Sequence, residues 1–403
     1  DRCRCLHRLY GGAGNDTYQV DRLEDLVFEF AGEGIDTVRA GGNYYLFDHI
    51  ENLTMIDGGG SFGVGNALDN LIVGNGHNNL LLGGGGGDRI EALHGDDVVY
   101  GEGGNDIIRG GYGIDTIIGG EGNDQLEGNT GADALYGGDG DDILYADSTP
   151  VQGDTIGSGL HIHYPPEFVT DILNGGDGND MLYGNSGLGD YDLMDGGAGD
   201  DSYHVDTPDD LTFEAANGGT DTVYATINGA GYYLYANTEN LVLGGNTPFG
   251  VGNELNNRIT GSATSNWLLG GAGNDILNGG AGNDVLFGEA GADTFVFTRG
   301  TGGDVIGDFV AGTDRIDLSA FGFTSFAQVE AALGEYGGTA FLTLGNGDMV
   351  VLNGVARSAL AAGDFILASS GELKTPVMEA IDADPRPDLI HDFVNPRLFL
   401  EVM

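Results

Sequence analysis

Residues 110–127 read Gly110-Gly-Tyr-Gly-Ile-Asp-Thr-Ile-Ile118 followed by Gly119-Gly-Glu-Gly-Asn-Asp-Gln-Leu-Glu127. The two halves share one pattern, G-G-x-G-x-D-x-U-x, in which U is an aliphatic residue. Outward from this stretch the same period continues without insertion over residues 65–145, which makes nine consecutive units. An uninterrupted period of this length indicates a repeat protein in which every unit builds one structural step.

Each position of the nonamer has a physical reason for its residue type. Glycine at positions 1, 2 and 4 lets the backbone turn tightly, including at positive φ, and leaves carbonyl groups accessible. Position 6 supplies a carboxylate, and positions 7 to 9 make one short strand whose position 8 points into a core. Two units then form one coil, with a turn at each edge. The period therefore predicts an all-β parallel β-roll, or β-solenoid, with little helix outside residues 326–334 and the C-terminal tail.

The nonamer resembles the calcium-binding repeat of the RTX, or hemolysin-type, proteins, whose repeats form a parallel β-roll. The resemblance implies that the chain binds several Ca²⁺ ions. Calcium is a hard cation that takes 6–8 oxygen ligands, including carboxylates and backbone carbonyls. A turn that offers both, stacked on an identical turn, meets that requirement.

The candidate calcium ligands are the turn glycines and the position-6 aspartates. In the first block of repeats they are Gly84, Gly86, Asp88, Gly95, Asp97, Gly104, Asp106, Gly111, Gly113, Asp115, Gly120, Gly122, Asp124, Gly131, Asp133, Gly138, Gly140 and Asp142. In the two later blocks they are Gly176, Gly178, Asp180, Gly197, Gly199, Asp201, Gly271, Gly273, Asp275, Gly280, Gly282, Asp284, Gly291, Asp293 and Asp304.

Units two apart in sequence should stack on the same edge of the roll. One row is then expected to contain Asp88, Asp106, Asp124 and Asp142, and the other Asp97, Asp115 and Asp133 above Asn79. Unneutralised carboxylates about 4.8 Å apart repel by roughly 1 kcal/mol per pair even in water. A divalent ion between each pair would reverse that sign. Asp192, in the irregular stretch 184–195, is expected to contribute much less.

Composition agrees with a cation-dependent fold. The chain has 63 acidic and 14 basic residues, a formal net charge of −49, and Lys374 is its only lysine. Such a charge argues against nucleic acid and anionic membrane surfaces as partners. Without cations the chain should be expanded and poorly ordered. No run of 18 apolar residues occurs, so the sequence predicts no transmembrane segment.

The chain contains an internal duplication. Residues 11–73 and residues 196–259 each begin with a nonamer that carries tyrosine at position 8, Tyr18 and Tyr203 respectively. Each copy continues through β-branched and aromatic strands and ends in weaker units with asparagine at position 6. We expect these strand-rich spacers to continue the solenoid with longer turns.

The patterns divide the chain into nine segments. They are an atypical N-terminal segment at 1–10, a spacer at 11–64, a first repeat block at 65–145, an insertion at 146–174, a second repeat block at 175–204, a second spacer at 205–251, a third repeat block at 252–306, a C-terminal cap and secretion region at 307–370, and a tail at 371–403.

The last third of the chain carries a different set of motifs. They include Gly312-Thr-Asp-Arg-Ile-Asp-Leu-Ser-Ala-Phe321 and Leu360-Ala-Ala-Gly-Asp-Phe-Ile-Leu367. These resemble the C-terminal cap of serralysin-type RTX proteins, in which the cap closes the roll and the chain end carries an uncleaved type I secretion signal. A solenoid needs a cap because an open last coil exposes its core and strand edges. The resemblance implies a secreted, extracellular protein that partners a type I secretion apparatus, although residues 371–403 extend past the usual family end.

Three other clusters match a chemical motif incompletely. Cys3 and Cys5 lie near a histidine but fall short of four metal ligands. His161 and His163 would share one face of a strand, with no third ligand evident. Ser61 fits G-x-S-x-G, but its segment leads into a nonamer and not into the helix of a nucleophile elbow. No His-Glu-x-x-His or Walker A motif occurs in the sequence.

Two classes of function remain open. For the chain as given, the absence of enzymatic activity is the favoured expectation. The first is a non-catalytic extracellular calcium module, such as an adhesin, a surface component or an export and folding region, with a polysaccharide or a cell surface as its partner. The second is the C-terminal region of a secreted enzyme, a serralysin-type metalloprotease, a lipase or an alginate epimerase, whose catalytic domain lies upstream. The chain starts at Asp1 and enters a repeat at Gly11, which favours a fragment.

Overall fold

The computed structural model describes residues 7–56, 60–146, 170–184 and 191–368. The chain divides into two compact units, Asp1–Asp221 and Thr222–Met403. The cysteine pair, the pair His161 and His163, and the tail at 371–403 lie outside the described residues.

The first unit consists of short β-strands joined by turns. Its strands are β1 Arg8–Tyr10, β2 Thr17–Val20, β3 Leu26–Phe28, β4 Thr37–Ala40, β5 Tyr44–Tyr45, β6 Asn52–Met55, β7 Phe62–Val64, β8 Leu71–Val73, β9 Leu80–Gly85, β10 Arg89–His94, β11 Val98–Gly103, β12 Ile107–Tyr112, β13 Thr116–Glu121, β14 Gln125–Thr130, β15 Ala134–Asp139, β16 Ile143–Tyr145, β17 Ile172–Asp177, β18 Met181–Gly184, β19 Leu193–Ala198, β20 Ser202–Val205 and β21 Leu211–Phe213.

Alternate strands of the first unit belong to two parallel sheets. The even-numbered strands from β2 to β20 follow one another in one sheet, and the odd-numbered strands from β5 to β21 do so in the other. β10 pairs with β12 and β12 with β14, so that Ile90, Ile108 and Leu126 lie side by side. Two nonamers therefore make one coil, and the predicted parallel β-solenoid is confirmed.

Position 8 of the repeat forms the core. Ile90, Val99, Ile108, Ile117 and Leu126 all have 0% of their surface exposed. Burial of one aliphatic side chain stabilises a fold by roughly 1.5–3 kcal/mol. Because each nonamer contributes one such residue, the core is continuous from coil to coil while positions 7 and 9 face outward.

The coil continues across both interruptions of the period. Leu173 pairs with Leu135 on one side and with Met194 on the other, and Leu173 and Met194 are completely buried. The strand that resumes the coil begins at Ile172, inside the stretch expected to break the period. The residue two positions after each of these aspartates, Asp171 and Asp192, therefore stays in the core although the nine-residue period is broken.

The second unit contains β22 Thr222–Ala225, β23 Tyr232–Tyr233, β24 Asn240–Leu243, β25 Phe249–Val251, β26 Arg258–Thr260, β27 Trp267–Ala272, β28 Ile276–Asn278, β29 Val285–Ala290, β30 Thr294–Val296, β31 Gly303–Ile306, β32 Arg315–Asp317, α1 Phe326–Ala332, β33 Leu333–Tyr336, β34 Thr339–Gly345, β35 Asp348–Leu352 and β36 Phe365–Ile366. Single 3₁₀ turns occupy Ser319–Phe321, Arg357–Ala359 and Ala362–Asp364.

The second unit begins as a solenoid of the same kind and ends differently. Its strands pair in parallel up to β31 with β35, after which β35, β34 and β33 form an antiparallel meander. The helix α1 lies where the sequence predicts one, and the side chain of Gln328 accepts a hydrogen bond from the backbone N–H of Ser325 at its start (3.2 Å). Among the described residues, no helix is long and apolar enough to cross a membrane. The likeness of this end to the serralysin cap stays a prediction.

Candidate metal sites

The position-6 aspartates form a hydrogen-bonded ladder along each edge of the first unit. The backbone N–H of each aspartate donates to Oδ1 of the aspartate one coil further on. The distances are 2.7 Å from Asp88 to Asp106, 2.7 Å from Asp106 to Asp124 and 2.7 Å from Asp124 to Asp142. One predicted row is therefore present in the structure.

The second row has the same geometry on the other edge. Asp97 donates to Asp115 and Asp115 to Asp133, both at 2.8 Å. Asn79 donates to Asp97 at 2.6 Å and occupies the position expected for it beneath the row. The eighteen-residue step between partners is the length of one coil.

The second carboxylate oxygen of these residues has a different environment. In many aspartates of the repeat blocks Oδ2 is buried and has no hydrogen-bond partner among the residues that the structure describes. They include Asp88, Asp97, Asp106, Asp115, Asp124, Asp142, Asp180, Asp201, Asp275 and Asp284. A buried carboxylate oxygen without a partner is costly, because the charge loses its hydration and gains nothing in return. A row of such oxygens fits a bound cation.

Burial raises the pKa of these carboxyl groups from an ordinary value of 3.8. The pKa is about 7 for Asp88, Asp97, Asp124 and Asp142 and about 6 for Asp106 and Asp115. Desolvation is the main cause, and the hydrogen bond from a backbone N–H opposes it in each case. The ionised rows are therefore unfavourable unless a positive charge is supplied.

The turn glycines leave room for the next turn. Gly113 has φ of 138°, and a Cβ placed on it would lie 1.9 Å from the carbonyl oxygen of Gly95 one coil away. Position 2 also needs positive φ but accepts other residues, because Leu93 and Glu102 adopt φ of 83° and 77° there. Close stacking thus brings carbonyl oxygens and carboxylates of successive turns together.

Comparison with known proteins agrees with this geometry. The family described as "RTX calcium-binding nonapeptide repeat (4 copies)" matches residues 8–22, 64–99, 73–108, 82–117, 109–144, 170–189, 251–286, 260–295 and 270–305. The chain carries RTX calcium-binding repeats. Calcium is accordingly the ion that these repeats bind, and the buried second oxygens are suited to it. Which residues ligate each ion stays a prediction.

Two curated relatives are enzymes of one organism. The chain is 41% identical over 175 residues to the endo-1,3-1,4-beta-glycanase EglC of Rhizobium meliloti (strain 1021) and 42% identical over 175 residues to the endo-1,3-1,4-beta-glycanase ExsH. Each match covers 43% of this chain. The chain spans 35% of the length of each of these relatives.

A solved structure with sequence similarity is the solution structure of the AlgE6R3 subunit of the mannuronan C5-epimerase from Azotobacter vinelandii. It is 32% identical, covers 34% of this chain and 91% of its own chain, and superposes with a TM-score of 0.19.

The RTX rows extend further than the sequence indicates. On the second edge Asp133 donates to Asp171 at 2.6 Å, Asp171 to Asp192 at 3.1 Å and Asp192 to Asp210 at 3.2 Å. Asp192 is fully buried. Asp192 was placed in an irregular stretch by its sequence, but the structure gives it a ladder position; its contribution to calcium binding stays a prediction. A local feature could have identified these residues. Each stands one residue before a strand, as position 6 does: Asp171, Asp192 and Asp210.

The first row also crosses the breaks in the sequence. Asp142 donates to Asp180 at 2.7 Å, Asp180 to Asp201 at 2.8 Å and Asp201 to Asp221 at 2.8 Å. The sequence separations of these pairs are 38, 21 and 20 residues. The aspartates therefore keep the same hydrogen bond even where more than eighteen residues separate them in sequence.

The second unit carries the remaining candidate residues. On one edge Asp275 donates to Asp293 at 2.9 Å and Asp293 to Asp314 at 3.1 Å. On the other, Asp284 donates to Asp304 at 3.0 Å, and burial raises the pKa of Asp304 to about 7. Asp314 was not among the sequence candidates, since its turn lacks the glycine pattern.

Asparagine replaces aspartate where a ladder begins. The side-chain oxygen of Asn70 accepts the backbone N–H of Asn66 at 2.7 Å, and Asn257 accepts that of Asn253 at 2.7 Å. The amide is neutral, and its oxygen is satisfied by its own turn. These turns can therefore end a row of RTX sites without an additional cation.

Ser61 lies at a bend directly before a strand. It is exposed, its backbone N–H donates to Oδ1 of Asn43 at 3.0 Å, and the strand β7 follows immediately. A nucleophile elbow requires a turn into a helix. The position of Ser61 is that of a spacer residue between coils.

Proposed function

We propose that this chain is an extracellular module that folds when calcium fills the aspartate rows. The observation that carries the proposal is the buried Oδ2 of ladder aspartates such as Asp88, Asp106 and Asp124, which has no hydrogen-bond partner among the described residues. A calcium ion between two turns would be coordinated by this oxygen together with turn carbonyl oxygens. Folding and calcium binding would then be one coupled process, because the ligands meet only in the stacked coil.

Calcium would act as an environmental signal. Extracellular calcium modules bind at roughly 10⁻⁴–10⁻³ M, well above cytosolic concentrations. A chain with a net charge of −49 would stay expanded before export and fold outside the cell. An expanded chain also suits a narrow secretion channel, so the proposed partner in export is a type I secretion apparatus.

A second proposal is that the module belongs to a larger secreted enzyme that acts on a glycan. The similarity to two endo-glycanases, of which this chain spans about a third, favours this version over a protease or lipase. In that case the RTX repeats would hold a catalytic region outside the cell near its polysaccharide. The residues described here would supply stability and placement, and the chemistry would lie elsewhere.

Circular dichroism of the purified chain tests the first proposal. Spectra are recorded in chelator and after addition of millimolar calcium, with magnesium as the control ion. We expect a disordered spectrum in chelator and magnesium and a β-rich spectrum in calcium. An equally folded chain in chelator would contradict the coupling of calcium to folding.

Activity assays separate the two proposals. The calcium-loaded chain is assayed with β-glucan, polyuronate, peptide and ester substrates, and its binding to the same polysaccharides is measured by co-sedimentation. Binding without turnover would support a non-catalytic module. Turnover that disappears on substitution of Ser61 or His161 would overturn it.

A further inference from the structure

Each copy of the duplicated segment places a glutamate where the nonamer has glycine. Glu29 directly follows strand β3 and is stacked on Gly11 one coil earlier, whose backbone N–H donates to Glu29 Oε1 at 3.3 Å. Glu214 follows β21 and stands eighteen residues after Gly196, the same step. A glutamate at this first turn position reaches into the space beside the position-6 aspartates.

The result is a cluster of three carboxylates in each copy. One oxygen from each of Asp16, Glu29 and Asp36 lies within 4.8 Å of the other two, and the same holds for Asp201, Glu214 and Asp221. Two oxygens bound to one calcium ion at 2.3–2.6 Å can be separated by up to about 5 Å, so both clusters are compact enough to share an ion.

A second observation in the first cluster points to a ligand. Glu29 is 7% exposed and Asp36 is 1% exposed. Glu29 Oε2 and Asp36 Oδ2 are buried and have no hydrogen-bond partner in the described part of the chain. Two unpaired carboxylate oxygens buried next to each other repel strongly when both are ionised, and a bound cation converts that arrangement into a favourable one.

We propose that Asp16–Glu29–Asp36 and Asp201–Glu214–Asp221 each bind one hard cation through three carboxylates, and that these are the tightest metal sites of the chain. Between ordinary nonamers an ion would meet the position-6 carboxylates without a glutamate. The additional glutamate raises the ligand charge, and calcium affinity rises with ligand charge. The inference rests on the proposed function only in taking calcium as the extracellular ion.

A tyrosine accompanies each cluster. The hydroxyl of Tyr203 accepts the backbone N–H of Gly196 at 2.6 Å and donates to the carboxylate of Glu214. In the first copy a Cβ on Gly11 would lie 2.2 Å from the Tyr18 hydroxyl and 2.3 Å from Asp16 Oδ2, so these groups flank the same glycine. Tyr18 and Tyr203 thus lie close enough to transfer excitation energy to a bound Tb³⁺, a trivalent substitute for calcium.

Terbium luminescence of the full chain tests the inference. Tb³⁺ is added below and then at two equivalents per chain, and tyrosine-sensitised emission is measured beside total binding by equilibrium dialysis. The variants are Glu29→Gln, Glu214→Gln and the double variant, with Glu24→Gln and Glu254→Gln as controls because both glutamates are exposed. Glu29→Gly restores the ordinary nonamer residue and reports on whether the turn itself tolerates substitution.

We expect each single variant to weaken one of the two tightest sites by roughly tenfold, as ligand charge count dictates, and the double variant to weaken both. The controls should titrate as the unchanged chain, and Glu29→Gly should fold in calcium and bind like an ordinary repeat. If Glu29→Gln and Glu214→Gln leave the tightest class of sites unaltered, this inference is wrong while the RTX rows stand. If the unchanged chain binds neither Tb³⁺ nor Ca²⁺, the proposed function itself is wrong.

Discussion

The backbone N–H of Asp106 donates a hydrogen bond of 2.7 Å to Oδ1 of Asp124, which belongs to the next coil. Each aspartate of the row is therefore donor to one neighbour and acceptor from the other. One oxygen holds the coils in register, and Oδ2 remains for a cation. Sites along a row should consequently be cooperative, because an ion that orders one turn also orders a group used by the next.

Substitution of a ladder aspartate should affect two neighbouring sites on its edge. We expect Asp106→Asn to weaken calcium binding by roughly tenfold at the affected sites, about 1.4 kcal/mol each, because it removes a charged ligand. Asp115→Asn should do the same on the opposite edge. Isothermal titration calorimetry measures the loss, with the exposed Asp139→Asn as the control. Equal titrations for Asp106→Asn and Asp139→Asn would show that the rows do not bind the ion.

Asp192 should behave as a ladder residue in spite of its irregular sequence context. It is fully buried and accepts the backbone N–H of Asp171 at 3.1 Å. We expect Asp192→Ala to lower calcium binding about as much as Asp115→Ala does, by roughly tenfold at the adjoining positions. The same calorimetric titration measures this loss of calcium affinity. A loss as small as that of Asp139→Ala would show that Asp192 does not contribute to a calcium site.

The pH dependence follows from the raised pKa values of the rows. In the calcium-free fold Asp88 and Asp124 have a pKa of about 7, whereas unfolded aspartate lies near 3.8. The folded chain then binds more protons than the unfolded chain between these values, so stability is greatest below pH ~4 and is lost as pH rises through about 7. Circular dichroism in chelator should show more structure at low than at neutral pH.

Calcium reverses that trend. Because the ion binds the ionised carboxylates and competes with protons, its apparent affinity should fall as pH drops below about 7. Titrations at several pH values test this together with the chelator series. A calcium-free chain that gained structure with rising pH would contradict the assigned burial of the carboxyl groups.

The sequence predicts the coil well where the turns are regular. Position 8 residues such as Ile108 are in the core, and Asp88 and Asp106 are in one row, because two nine-residue periods equal the eighteen-residue step between stacked turns. It fails at Asp171 and Asp314, whose turns lack the glycine pattern. Strand pairing and burial of the aliphatic residue keep those turns in register, and neither depends on how many residues the turn contains. The role of Glu29 was invisible because only stacking places it beside Asp36.

The contribution of the core can be tested with two adjacent isoleucines. Ile108 is completely buried, whereas Ile107 is 36% exposed. We expect Ile108→Ala to destabilise the calcium-loaded fold by about 2–5 kcal/mol through lost burial and a cavity. Ile107→Ala should cost much less. Urea unfolding in saturating calcium gives both values, and similar midpoints for the two variants would show that position 8 does not carry the core.

Close stacking of the turns can be tested with two glycines. Gly113 has φ of 138° and a Cβ there would lie 1.9 Å from the carbonyl oxygen of Gly95, so Gly113→Ala combines backbone strain with a clash. At Gly103 an added Cβ meets nothing within 4 Å among the described residues. We expect Gly113→Ala to destabilise the calcium-loaded fold by more than about 1 kcal/mol and to weaken the adjoining sites, since non-glycine residues at such φ are strained.

Gly103→Ala should change stability little, because its side chain would point into open space. Thermal unfolding in calcium compares the two variants directly, and calcium titration reports whether the turn carbonyls have moved. Should Gly113→Ala unfold at the same temperature as Gly103→Ala, the turns would have to stack more loosely than 1.9 Å implies. Carbonyl oxygens of successive turns could then no longer be assumed to share an ion with the aspartates.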